Sequence, residues 1–287
     1  AAINGHPEMV LGRADFAGWR IDWGDKAVHI DSLASELNLG LQDVVFIDDN
    51  PAERARVRES LPEVLVPEWP ADPAHYAMAL EQMRCFDAPD RTWEDGERNR
   101  MYADEKTRQS ERVAVGSLAD WLNTLDLKVA VAEVDRTNLR RTVQLMNKTN
   151  QMNLSTRRLS EAELVEWAGQ AGREAWVFRV EDRFGDSGLT GILSLEAVSG
   201  GGRIVDFVLS CRVMGRGVEE TLIYHAVERA RTLGWRELLV EYLPTEKNKP
   251  CLDLATRVLM PIQGMLHYFH WEVAHDFPLP DHVQLLQ

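Results

Sequence analysis

Val44-Val45-Phe46-Ile47-Asp48-Asp49-Asn50-Pro51-Ala52-Glu53 decides how the first part of the chain folds. Four apolar residues in a row, without alternation, suit a parallel strand covered on both faces. The run stops at two carboxylates. Asn50 then serves as an N-cap, Pro51 takes the first helical position and Glu53 stands three residues after the cap, so a helix starts there and runs to about Leu61. Upstream, Ile30, Leu33, Ala34 and Leu37 share one face of a helix from about Ala27 to Leu37. Gly40 closes it, and a short strand near Arg20 to Trp23 precedes it. Downstream, Val64-Leu65-Val66 supplies a third strand. The β-α-β-α-β rhythm predicts half of a doubly wound α/β domain.

Between about Asp87 and Gly116 the sequence turns strongly charged, with Pro89, Asp90, Arg91 and a run from Glu94 to Arg112. It reads as a solvated linker helix. A second unit begins near Ser117. Strands are predicted at Val129 to Val134, Ala175 to Val180, Thr190 to Val198, Ile204 to Val213 and Glu237 to Tyr242, with Gly-rich turns such as Ser199-Gly200-Gly201-Gly202 between them. A helix is predicted around Leu139 to Met146, followed by the polar segment Thr149 to Arg158. Val218, Leu222, Ile223, Ala226, Val227, Ala230 and Leu233 mark the clearest amphipathic helix, stopped by Gly234. Beyond Pro244 lies a partly helical tail. The expected division is 1–88, a linker at 89–116, and a mixed α+β domain at 117–287.

The 287 residues are 45% apolar, enough for a sizeable core and two domains. A formal net charge of −14 argues against nucleic acid, whose phosphates need a dense basic surface. Any anionic partner is met locally, by arginines such as Arg157, Arg158, Arg212 and Arg216. The sequence has no apolar run of about 18 residues and no secretory signal at Ala1-Ala2-Ile3, so no membrane partner and a cytoplasmic location are expected. The three cysteines, Cys85, Cys211 and Cys251, lack metal-type spacing and exclude a disulfide framework.

Asp48 and Asp49 stand at the carboxyl end of a buried strand, where open α/β sheets place ligand sites. Adjacent carboxylates there call for a cation, and hard oxygen ligands suit Mg²⁺; the alternative is a cap-and-turn cluster. Lys26, at the end of the preceding strand, reaches toward the same crevice. This order resembles motifs three and four of the HAD superfamily.

Arg212-Val213-Met214-Gly215-Arg216-Gly217 lies between a strand and the amphipathic helix. Glycines there let backbone N–H groups approach an anion at the positive end of a helix. The loop resembles the R/QxxGxG/A element with which GNAT-like folds bind the pyrophosphate of CoA or the phosphate of a carrier-bound pantetheine; the alternative is a tight turn that needs glycine. Cys211 precedes it. It is either a small buried hydrophobe or a thiolate that carries an acyl group, its pKa lowered by Arg212, Arg216 and the helix dipole.

Phe46 to Arg54, Thr149-Asn150-Gln151-Met152-Asn153-Leu154, Asp182 to Leu189 and Leu209 to Gly217 together resemble the FkbH-like family. The resemblance spans nearly the whole chain. It implies a partial HAD-like parallel α/β unit followed by a GNAT-like domain. It also implies transfer of the glyceryl group of 1,3-bisphosphoglycerate, with dephosphorylation, to the phosphopantetheine of an acyl carrier protein in polyketide biosynthesis. Pro244-Thr245-Glu246-Lys247-Asn248 matches the family's PTxKN segment, which implies that Asn248 hydrogen-bonds the pantetheine arm. The family's DxDxT motif, with its nucleophilic aspartate, is absent from these residues. The expectation is therefore a chain that works with a missing amino-terminal HAD segment. Two alternatives stay open: a CoA-dependent N-acetyltransferase with Glu241 as a weak candidate base, and an inactive carrier-docking module. Asp186 and Asn150 read as polar turn residues.

Overall fold

A computed structural model describes residues 8–12, 15–37, 39–87 and 93–286. Ala1 to Ile3 and Pro89 to Arg91 lie outside the described residues. The chain forms two compact units, Ala1–Ala103 and Asp104–Gln287. The boundary falls within a helix of the charged segment, Arg98–Val115.

In the amino-terminal unit, α1 (Lys26–Glu36) starts where the Asp25 carboxylate accepts the Ala27 N–H. α2 (Pro51–Ser60) starts at Asn50, whose side chain accepts the Ala52 N–H at 3.0 Å, with Pro51 in the first turn. Both N-caps satisfy a donor that the helix leaves unpaired. Two shorter helices follow, α3 (Tyr76–Glu81) and α4 (Trp93–Gly96). Ala27, Val57, Val64 and Val66 form a small core, with Ile30, Leu41, Val44, Phe46 and Leu61 packed on it. The predicted strands at Val44 and Val64 do run parallel, but as a single bridge, Val45 to Leu65. Two bonds hold it: Phe46 N–H to the Leu65 carbonyl at 2.9 Å and Leu65 N–H to the Val44 carbonyl at 3.0 Å. Arg20 to Trp23 is not a strand. Its Ile21 and Trp23 side chains stand in solvent, and no described residue pairs with its backbone.

The carboxyl-terminal unit is a mixed α/β fold built on one sheet. After α5 (Arg98–Val115) and α6 (Leu118–Asn123) come β1 (Leu127–Glu133), α7 (Leu139–Lys148), β2 (Met152–Asn153) and α8 (Glu161–Ala168). A reciprocal capping box between Ser160 and Glu163 starts α8. Then follow β3 (Arg173–Asp182), β4 (Gly185–Val198), β5 (Gly201–Leu209), α9 (Val218–Thr232), β6 (Glu237–Glu241), α10 (Lys249–Val258), β7 (Met260–Pro261), β8 (Tyr268–Glu272) and β9 (Val283–Leu286). The strand order is β7-β8-β6-β5-β4-β3-β1-β9, with β2 added on β5. β1/β9 and β5/β6 pair in parallel, and the remaining pairs are antiparallel. One sheet face meets the apolar face of α9, where Leu222, Ile223, Ala226 and Val227 pack with Phe178, Leu193 and Leu209. A second cluster joins Leu145 and Met146 of α7 and Leu164 of α8 to Val177, Ile192 and Val208. Among the described residues no helix is long and apolar enough to cross a membrane.

The predicted strand Ile204 to Val213 ends early, at Leu209. Val213 donates its N–H to the Ser210 carbonyl and Met214 to that of Cys211, so a 3-10 turn over Cys211–Val213 replaces the ladder. Cys211 therefore belongs to a turn rather than to an alternating strand.

His225 lies on α9 with its ring edge-on to Trp176 and Phe178. Its buried Nε2 has no hydrogen-bond partner. Burial pushes its pKa down to about 4, with the charge of Arg229 acting in the same direction. The folded state thus binds fewer protons than the unfolded state between about pH 6.5 and 4. Full stability is expected above pH 6.5, with a loss reaching about 3 kcal/mol as pH falls to 4. Denaturant titrations of His225→Phe across that window should show a shallower loss; an equally steep one would assign the effect to other groups.

Candidate functional site

In the amino-terminal unit Lys26 and Asp48 meet. The Lys26 ammonium donates to Asp48 Oδ2 at 2.5 Å, and this bond, reinforced by nearby carboxylates, raises the lysine pKa. Asp48 Oδ1 accepts the Asn50 N–H at 2.9 Å. The buried Arg54 donates to the carbonyls of Asp48 and Asp49 at 2.8 and 3.0 Å, fixing the turn from beneath. Asp49 is exposed at its rim. Asp48, held by Lys26 and a backbone N–H, and the exposed Asp49 would offer Mg²⁺ one or two carboxylate oxygens, the share such an ion commonly takes from protein while water and substrate phosphate supply the rest. Among the described residues no group of three or more His, Cys, Asp and Glu side chains is placed to bind a metal.

In the carboxyl-terminal unit the loop between β5 and α9 depends on two left-handed glycines, Gly215 at φ +73° and Gly217 at φ +82°, the latter being the N-cap of α9. A Cβ on Gly217 would lie 2.8 Å from the His282 ring, whereas one on Gly215 meets nothing. His282 is held there by a 2.8 Å hydrogen bond between its Nε2 and the Arg216 carbonyl. Gly215→Ala should cost about 1 kcal/mol from backbone strain alone. Gly217→Ala should cost more, because His282 must also move. Equal losses in thermal unfolding would remove His282 from this account.

The anion-binding character of the loop is offset by its own side chains. Glu219, in the first turn of α9 and 5% exposed, accepts the Gly215 N–H on Oε1 at 2.6 Å. Its buried Oε2 has no partner, and burial raises its pKa. Arg216 does not face an incoming phosphate. It is 3% exposed and donates to Glu105 at 2.6 Å, to Asp182 at 3.2 Å and to the Arg212 carbonyl. Burial, with the neighbouring Arg108 charge, lowers its pKa. Asp182 also receives two bonds from Arg108, at 2.7 and 2.9 Å. This network, buried except for the half-buried Glu105, pins the loop to α5 and to the β3/β4 turn. Arg212 donates to the Ser187 carbonyl at 3.3 Å.

Cys211 is partly exposed. Burial raises its pKa, against the opposing pull of Arg212. The expected lowering is thus overturned: desolvation of the thiolate outweighs the nearby guanidinium. Cys251 is fully inside, pushed by burial up to about 12. Cys85 is exposed in the amino-terminal unit.

Two features escape sequence reasoning. β5 pairs with β6 only over Gly202 to Ile204, after which the two parallel strands diverge. Met152–Asn153 fill the wedge, pairing with Leu209 and Val208. Leu154 donates its N–H to the Phe207 carbonyl at 3.0 Å and accepts the Leu243 N–H at 3.3 Å. Asn248, expected to face a ligand, is wholly buried. It donates to the Asn153 and Leu243 carbonyls, at 3.1 and 2.8 Å, and accepts from Tyr242 and the Thr245 N–H. Behind this segment lies a small apolar cavity whose lining includes Leu154, Phe207, Val240 and Cys251.

The remaining polar candidates have partners of their own. Arg157 pairs with the buried Asp206, and Arg158 with Asn150 and the carbonyl end of α7. Asp186 pairs with Arg179 and accepts the Gly188 N–H. Glu241 accepts from Tyr268 at 2.6 Å and faces Arg203.

No family model matches the sequence, and no curated protein matches it. Among solved structures, the amino-terminal part of protein BF1531 from Bacteroides fragilis, containing a phosphatase domain complexed with Mg, is 42% identical with a TM-score of 0.29. The match covers 30% of this chain and 23% of that one. A putative acetyltransferase of the GNAT family from Desulfovibrio desulfuricans is 17% identical over 50% of this chain and 99% of its own, with a TM-score of 0.40. The spermidine N-acetyltransferase from Vibrio cholerae, in complex with CoA and spermine, is 16% identical over 51% and 96%, with a TM-score of 0.38.

Proposed function

We propose that the chain is part of an acyltransferase that loads a three-carbon acyl group onto the phosphopantetheine thiol of an acyl carrier protein. One observation carries this reading. Cys211, a partly exposed thiol, opens the same short turn that leads into the Gly215-Gly217 loop at the positive end of α9. A carrier phosphate approaching that helix end brings its arm beside the thiol. The donor is an acyl phosphate such as 1,3-bisphosphoglycerate. The Cys211 thiolate attacks its C1 carbonyl, a C–S bond forms, and the C–O bond breaks with phosphate leaving on the electron pair. The carrier thiolate then attacks the thioester and Cys211 leaves as thiolate. The dipole of α9 orients the phosphate.

Lys26, Asp48 and Asp49 contribute phosphoryl recognition, and a further HAD-type segment bearing a nucleophilic carboxylate and metal ligands completes that half for removal of the second phosphate. The test incubates the protein with 1,3-bisphosphoglycerate and phosphopantetheinylated carrier, then maps peptides by mass spectrometry. A 3-phosphoglyceryl adduct on the Cys211 peptide before carrier addition, passed to the carrier afterwards, is expected. Consumption of acetyl-CoA with an amine acceptor and no carrier loading would replace this reading with N-acetyl transfer.

A further inference from the structure

The wedge between β5 and β6 has a consequence for which thiol cofactor the unit accepts. An arm whose phosphate is held at the Gly215 loop must pass the carboxyl end of β5, because that strand runs directly into the loop. Its amides need hydrogen-bond partners wherever they leave water. The natural partner is the free backbone edge of a strand, as in ligand-strand addition to a sheet. Here that edge is taken. Met152 and Asn153 pair with Leu209 and Val208, and Leu154 joins Phe207 on one side to Leu243 on the other. Met152, Asn153 and Leu154 are each no more than 3% exposed. Latches hold both sides of the segment. Asn248 donates to the Asn153 carbonyl. Asn153 donates to the carbonyls of Met146 and Thr149. Ser155 and Arg157 bind Asp206, itself 1% exposed.

Resting on the proposed function, we infer that residues 152–154 are a built-in substitute for an inserted ligand and act as a specificity element: they exclude free CoA while leaving Cys211 open to an arm delivered by a docked carrier protein. Free CoA has only its own contacts to hold it and loses those along the strand edge. A carrier adds protein-protein contacts outside the wedge, so its arm reaches the turn at Cys211 without entering between the strands. Asn248 is then a positioning residue, keeping the segment in place.

The experiment follows amide hydrogen exchange of segments 152–156 and 206–209 in the whole chain alone, with CoA, and with phosphopantetheinylated carrier, alongside calorimetric titration of CoA. Expected are no measurable CoA binding below about 1 mM and unchanged protection of both segments while the carrier is loaded. Asn248→Ala should loosen the latch and gain at least about tenfold in CoA affinity with no gain in carrier loading. Tight CoA binding to the unaltered protein, or loss of protection at 152–156 when CoA or carrier binds, would overturn the inference and leave carrier loading intact. Unchanged protection and absent CoA binding, but no loading of any carrier, would uphold wedge closure against CoA and overturn delivery by a carrier together with the proposed function. The exchange data on the unaltered chain decide the matter even where Asn248→Ala fails to fold.

Discussion

Asp182→Ala should lower the stability of the carboxyl-terminal unit by about 3–5 kcal/mol, the usual cost of breaking a buried ion network by removing one partner. The Asp182 side chain is completely buried. It accepts from Arg108 at 2.7 and 2.9 Å, from Arg216 at 3.2 Å, and from the N–H groups of Phe184 and Gly185 at 3.0 and 3.3 Å. Without it, two guanidiniums that are each 3% exposed share the single carboxylate of Glu105. The turn between β3 and β4 also loses the acceptor that shapes it. Urea unfolding followed by tryptophan fluorescence reads the loss, since Trp121 and Trp176 both belong to this unit's core. Asp182→Asn retains an acceptor for the turn but not the charge, so it should fall between the two. A loss under 1 kcal/mol for the alanine variant would mean that water or a rearranged Glu105 takes over the arginines.

Much of the architecture is legible in the residues, because local signals and tertiary demands agree there. The α9 stripe from Val218 to Ala230 is buried as its period requires, and the Asn50-Pro51 start of α2 has the geometry its residues prefer. Both glycines of the loop hold left-handed angles. The polar stretch from Thr149 to Arg158 gives no such warning. Met152 and Asn153 become sheet, with Leu154 bonded beyond them, only because Phe207 to Leu209, far along the chain, leave an edge open where β6 diverges. Partners at that separation leave no periodicity in either segment. Asn248 resembles a ligand contact for the same reason that makes it a good latch: a side-chain amide can donate and accept at once. Arg216 misleads through composition, since an arginine in a glycine loop suggests phosphate. Only burial reveals that it is spent on Asp182 and Glu105.

Cys211→Ala should abolish the acyl adduct and reduce carrier loading by about 10³-fold or more, the effect typical of deleting a covalent nucleophile. The raised pKa of this thiol shapes a second readout. Burial holds its folded pKa above the ordinary value of 9.0, so at neutral pH most molecules carry the unreactive thiol. The acylation rate should therefore climb about tenfold per pH unit from 7 to 9, as the thiolate fraction grows, and level off only above that range. A general base or an arriving phosphate that drew the proton away would flatten that slope. Cys211→Ser keeps size and polarity but is a much weaker nucleophile, so it should load almost as poorly as alanine while unfolding like the unaltered protein. Cys251→Ala serves as the contrast. Its thiol lies in the apolar cavity behind β2, pushed by burial up to about 12, so its removal should leave the adduct and its pH profile unchanged. Loading that survives Cys211→Ala and fails in Cys251→Ala would move the reacting sulfur to the far side of the wedge, and the route past the Gly215 turn would then be wrong.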